Sequence, residues 1–99
     1  MELFETLYDE HERADVRFVG FTTDHIRYDF GIVYTQMFFG KPLVICMQSG
    51  RSALLDSSDI KNIEYLKKVF CISSLKEAED VSLFFKQYLS TSFYIEQYT

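Results

Sequence analysis

The side chains best suited to chemistry cluster on one stretch, Ile26-Arg27-Tyr28-Asp29-Phe30-Gly31-Ile32-Val33-Tyr34-Thr35. Polar and apolar residues alternate along it. As a β-strand it turns His25, Arg27, Asp29 and Thr35 to one face and Ile26, Tyr28, Phe30, Ile32 and Tyr34 to the other. A histidine, an arginine and an aspartate on one face, with Arg17 in a neighbouring segment, have the donors for a small anion. Arg51 adds a planar fork beside Gly50, in a turn whose backbone N–H groups could join it. Arg17, Arg27, Asp29 and Arg51 are therefore the candidate anion or ligand contacts, set against the commoner outcome of a charge ladder on a solvated sheet face.

Other chemistry finds little support. A metal site takes about three or four ligands, and His11 and His25 are the 2 histidines, with no His or Cys pair at ligand spacing. No metal and no cofactor is expected. Ser, His and Asp are all present, yet the chain lacks a Gly-x-Ser-x-Gly elbow, and neither cysteine has a nucleophile's surroundings. No catalytic residue is assigned and the chain reads as a non-enzyme. Cys46 and Cys71 sit in apolar strings and read as small buried hydrophobes of a reducing compartment. The 4 glycines are isolated, so no phosphate-cradling loop is present.

A net charge of −5 repels a phosphate backbone, which disfavours nucleic acid as a partner. Much of that charge is local: Glu2, Glu5, Asp9, Glu10, Glu12 and Asp15 crowd residues 1–15, which read as an acidic, partly mobile arm. The N-terminus lacks a basic region and apolar run, and no stretch approaches the ~20 apolar residues of a membrane span. A cytoplasmic protein that does not enter membranes is expected.

The elements that would hold these residues form one domain over residues 1–99. Val16–Thr22 and Ile26–Thr35 read as strands. Gly40-Lys41-Pro42 breaks the pattern, and Leu43–Gln48 and Arg51–Asp56 complete an antiparallel meander of about four strands through a Ser49-Gly50 turn. The period then changes. Ser57, Ser58 and Asp59 can cap a short helix over about 59–69. Ser74-Leu75-Lys76-Glu77 has capping-box spacing, and Ala78, Val81, Phe85 and Tyr88-Leu89 make the apolar stripe of a longer helix packed on the sheet. The fold class is α+β.

Ten Phe and seven Tyr exceed what one small core needs. Phe38 and Phe39 fall at a hairpin tip, and residues 92–99 form a tail whose Phe93, Tyr94, Ile95 and Tyr98 are apolar where a free tail would be polar. These are the candidate interface residues of a homodimer, the tail docking either in its own subunit or in its partner's. Other cytoplasmic proteins are further partners to consider. The reading is a self-associating interaction domain, with a small-molecule or anion-binding regulatory domain as the alternative.

Taken in order, Leu7-Tyr8-Asp9, Arg17-Phe18-Val19, Arg27-Tyr28-Asp29, Gly40-Lys41, Leu43-Val44, Gln48-Ser49, Arg51, Tyr65-Leu66 and Val69-Phe70 form a collinear set. Over about residues 7 to 90 the chain resembles a family of small proteins of Gram-positive Firmicutes, a domain of unknown function. The resemblance implies a stand-alone cytoplasmic bacterial protein and transfers no activity, substrate or catalytic residue. Gly50 stands where that pattern has Asn, an exchange between two residues that both accept positive φ.

Overall fold

The computed structural model describes residues 3–88. Four strands, β1 (Asp15–Thr22), β2 (Arg27–Tyr34), β3 (Leu43–Cys46) and β4 (Ser52–Leu54), precede helices α1 (Ile63–Val69) and α2 (Leu75–Tyr88). The strands pair antiparallel in the order β1-β2-β3-β4, the meander that short connections impose.

Alternation in β2 decides which way the sheet faces. Tyr28, Phe30 and Ile32 point at the helices and are buried, as are Val44 and Cys46 opposite them. On this inner face Phe30 meets Phe85 edge-on at 4.9 Å and Phe70 at 5.7 Å, so one ring of β2 joins both helices. Leu55, Ile60, Leu66, Ile72, Ala78 and Val81 close the core.

Between β4 and α1 the expected caps take other roles. Asp56 Oδ1 accepts from the Ser58 N–H (3.0 Å) and the Asp59 N–H (2.9 Å), and Asp59 Oδ2 accepts from the Asp56 N–H (2.9 Å), a reciprocal turn leading into a 3-10 turn, Asp59–Lys61. The Asp59 N–H first, then the Ser58 hydroxyl and N–H, with Lys41 at 3.5 Å, push the Asp56 carboxyl down to about 2. The α-helix itself starts later, capped by Asn62, whose Oδ1 accepts from the Tyr65 N–H.

Helix α1 ends in a Schellman motif: the Cys71 N–H reaches the Lys68 carbonyl and the Ile72 N–H reaches that of Lys67. Cys71 takes the left-handed position at φ 54° and is exposed, which overturns the expectation of a buried thiol; Cys46 alone is buried. Apolar neighbours misled because a helix C-terminus turns this one residue outward while Ile72 folds back into the core.

Helix α2 uses half of its capping box. Ser74 Oγ accepts from the Glu77 N–H, but the Glu77 carboxylate receives the hydroxyls of Ser73 (2.6 Å) and Tyr28 (2.9 Å). Glu77 thus ties the helix start to β2. The expected stripe holds at Ala78, Val81 and Phe85, joined by Ser82, which is buried and donates to the Ile60 carbonyl at 2.7 Å.

Candidate functional site

The helices cover one face of the sheet. Register assigns the opposite face to Val16, Phe18 and Gly20 from β1, Arg27, Asp29, Gly31 and Val33 from β2, Leu43 and Ile45 from β3, and Ser52 and Leu54 from β4. This outer face is graded. At the end where β1 begins and β2 finishes lie Val16, Val33, Leu43 and Leu54, with Phe18 and Ile45 behind them; at the far end lie Thr22, Arg27 and Asp29. Phe18 remains 74% exposed. Gly31 leaves room for Met47, since a Cβ there would meet Met47 Cε at 2.9 Å, and Phe18 lies beside it with Cε1 at an ordinary contact distance of 3.4 Å.

A solvated sheet face normally alternates to polar side chains. The signal that this one does not was in β3: Leu43-Val44-Ile45-Cys46 is apolar without interruption, the pattern of a strand covered on both faces.

Two further apolar features lie at the same end of the sheet. In the β2–β3 connection Phe38, Phe39 and Gly40 take successive left-handed conformations at φ 54°, 66° and 71°. Bulky residues rarely adopt that region, at a cost of roughly 1–3 kcal/mol each. Phe39 is nevertheless 101% exposed and Phe38 is half-exposed. The loop holds two aromatic rings out of the protein against both the conformational and the hydrophobic preference.

The second feature is the N-terminal arm. Glu12 clamps it to that loop, accepting from the Gln36 N–H at 2.6 Å and from Thr35 Oγ1 at 2.5 Å, which holds its carboxyl below the usual range. Residues 3–14 are exposed throughout, and beyond the clamp Leu3, Phe4, Leu7 and Tyr8 remain between 57% and 87% exposed.

The polar candidates are dispersed. Arg27 and Asp29 share the outer face, but Arg27 Nε binds Asp29 Oδ2 at 3.0 Å and Gln48 clasps the same aspartate through its side-chain amide, donating to Oδ2 (2.7 Å) and accepting from the Asp29 N–H (2.8 Å). These partners, Arg27 first, lower the Asp29 carboxyl's affinity for protons. Arg17 lies opposite Ile32, on the inner side of the sheet, away from the other two. Arg51 is exposed, and its turn's N–H groups are taken internally: Gly50 donates to the Cys46 carbonyl and Arg51 to Ser49 Oγ. The depression beside this group, lined by Gly20, Phe21, Thr22, Arg27 and Asp29, is shallow. His25 is in the exposed β1–β2 turn and His11 in the arm, so the two histidines are not brought together. Among the described residues no three His, Cys, Asp or Glu side chains converge as metal ligands would. Phe93, Tyr94, Ile95 and Tyr98 lie outside the described residues.

A family model, SAV0927-like, matches residues 7–87, four-fifths of the chain. The chain belongs to the SAV0927-like family. No curated protein matches it. The SAV0927-like match starts at Leu7, inside the arm, and ends one residue before the last of α2, so the family pattern takes in part of the arm, the aromatic loop and the open sheet face together with the core. No helix among the described residues of this SAV0927-like chain is long and apolar enough to cross a membrane.

Proposed function

We propose that this SAV0927-like protein is a non-enzymatic, self-associating interaction domain of the bacterial cytoplasm. The observation that carries the reading is the open sheet face, where exposed Val16 and Phe18 and half-buried Val33, Leu43, Ile45 and Leu54 form one apolar surface with no helix of the described residues packed over it. A patch of this kind, rimmed by polar residues, marks an interface in a protein that must stay dissolved. Two-layer folds bury such a face by adding a second layer. The strained Phe38-Phe39 loop supports the same reading, because energy spent on holding rings outward is recovered only when they are covered. The residues with chemical capacity are otherwise engaged: Asp29 by Arg27 and Gln48, Glu77 by Tyr28 and Ser73.

Light scattering behind size exclusion tests the reading on the full chain at tens of micromolar. The parent elutes as a dimer, and Ile45→Lys, which sets a charge in the middle of the face, elutes as a folded monomer. A parent mass of 11.7 kDa at that concentration overturns self-association.

A further inference from the structure

Among the described residues, two apolar surfaces stay open in their own subunit: the outer sheet face, where Val16 and Phe18 are exposed and Val33, Leu43, Ile45 and Leu54 half-buried, and the arm carrying Leu3, Phe4, Leu7 and Tyr8. Each is what the other needs. We infer that the two are exchanged between copies, the arm of one chain lying across the apolar half of the other chain's open sheet face. This rests on the self-association proposed above and names its occupant.

Direction selects a second copy's arm over the chain's own, and charge and area suit that arm as the occupant. Glu12 fixes the root of the arm at Thr35 and Gln36, beside the point where β1 starts, and only Arg13 and Ala14 separate that clamp from Asp15. Neither residue is a turn former, and the backbone carries no turn or bend from Glu5 to Ala14. The arm therefore runs outward from its own sheet. Ten residues of extended chain reach roughly 33 Å, well over the roughly 19 Å width of a four-stranded sheet, so an arm can span the neighbour it meets.

The six acids and one arginine of residues 1–15 account for the whole net charge of −5, the remainder of the chain carrying nine of each sign. An arm of that composition is repelled by the equivalent arm and not by a neutral body, so arm-on-arm packing is the disfavoured arrangement and arm-on-body the favoured one. Phe4 and Tyr8, 76% and 57% exposed, offer roughly 200–330 Å² per arm, and with Leu3 and Leu7 added two reciprocal arms and the surfaces they cover reach the ~1,200 Å² lower bound of a specific stable interface. Reciprocal exchange also closes the assembly at two copies, since each donor is an acceptor through the same contact.

Cysteine trapping decides the question, with Cys71→Ser removing the exposed thiol. One full-length chain carries Leu7→Cys and a second carries Val33→Cys. On mixing under mild oxidation they should give a disulfide-linked heterodimer, while a single chain bearing both changes, mixed with an excess of chains bearing neither, should give little band of intramolecularly linked monomer. In parallel, the full-length double variant Phe4→Ser, Leu7→Ser should dimerise roughly 100-fold more weakly than the parent, with an unchanged melting transition when both are dilute monomers. An intramolecular disulfide between positions 7 and 33 as the dominant product overturns the exchange, because the arm then covers its own sheet. A double variant that dimerises as tightly as the parent overturns it too, while leaving self-association standing. A parent that is monomeric throughout removes both.

Discussion

Tyr28 shows how a single residue carries the fold. Its ring lies in the core and its hydroxyl reaches the Glu77 carboxylate, so burial first, and then that hydrogen bond, push the phenol up to about 12. An unfolded tyrosine ionises near 10, so the folded state holds the proton more tightly over the interval between. This contribution to stability is complete below about pH 10 and is lost as pH rises towards 12. The urea midpoint of the parent should therefore fall across that interval more steeply than that of Tyr28→Phe; parallel profiles would show that Tyr28 does not titrate late. Cys71 supplies a second expectation. Glycine suits its left-handed position better than a residue with a Cβ, so Cys71→Gly should stabilise by about 0.5–1 kcal/mol in chemical denaturation. A thiol reagent should label one cysteine, Cys71, rapidly in the native protein and Cys46 only on unfolding. The sequence pointed the other way at Cys71 because burial follows backbone geometry at a helix end, which neighbouring residue types do not encode.

At the scale of elements, much was legible. The alternation of β2 set its buried face at Tyr28, Phe30 and Ile32, and the 3.6-residue stripe of α2 put Ala78, Val81 and Phe85 against it. Periodicity reports which side of an element is covered, and both elements have one clearly apolar side. Phe85→Ala should accordingly cost about 3–5 kcal/mol, and a urea midpoint equal to the parent's would contradict the packing of α2 on β2. Less legible was how the elements are joined. Ser74-x-x-Glu77 marked the start of α2, but the partner that Glu77 takes, Tyr28, is 49 residues away and leaves no local trace. The β2–β3 loop was legible only as a break. Its left-handed Phe38 and Phe39 contradict local preference, as residues held for a role outside the subunit's own fold do. Phe39→Gly should thus stabilise the isolated subunit by about 1 kcal/mol while weakening its association, two effects of opposite sign that thermal melts and dimer dissociation constants separate.

For the whole molecule, composition announced a surplus of aromatic residues without saying where it would surface. Two of the expected interface residues, Phe38 and Phe39, stand at the apolar end of the sheet. A second apolar area is the outer face, hidden in the sequence because Val16, Phe18, Val33, Leu43, Ile45 and Leu54 come from four strands and converge only when the meander closes. Arg17, Arg27, Asp29 and Arg51 show the converse: similar chemistry in the sequence, divided between faces and turns in the fold. Coverage of the outer sheet face by a second copy is tested most directly by isotope-filtered nuclear Overhauser spectroscopy. In a sample mixing labelled and unlabelled full-length chains, the methyl groups of Val16, Val33, Leu43, Ile45 and Leu54 should show contacts to protons of the other chain. Filtered spectra with no contact to any of those methyls, recorded at a concentration of hundreds of micromolar, would contradict it.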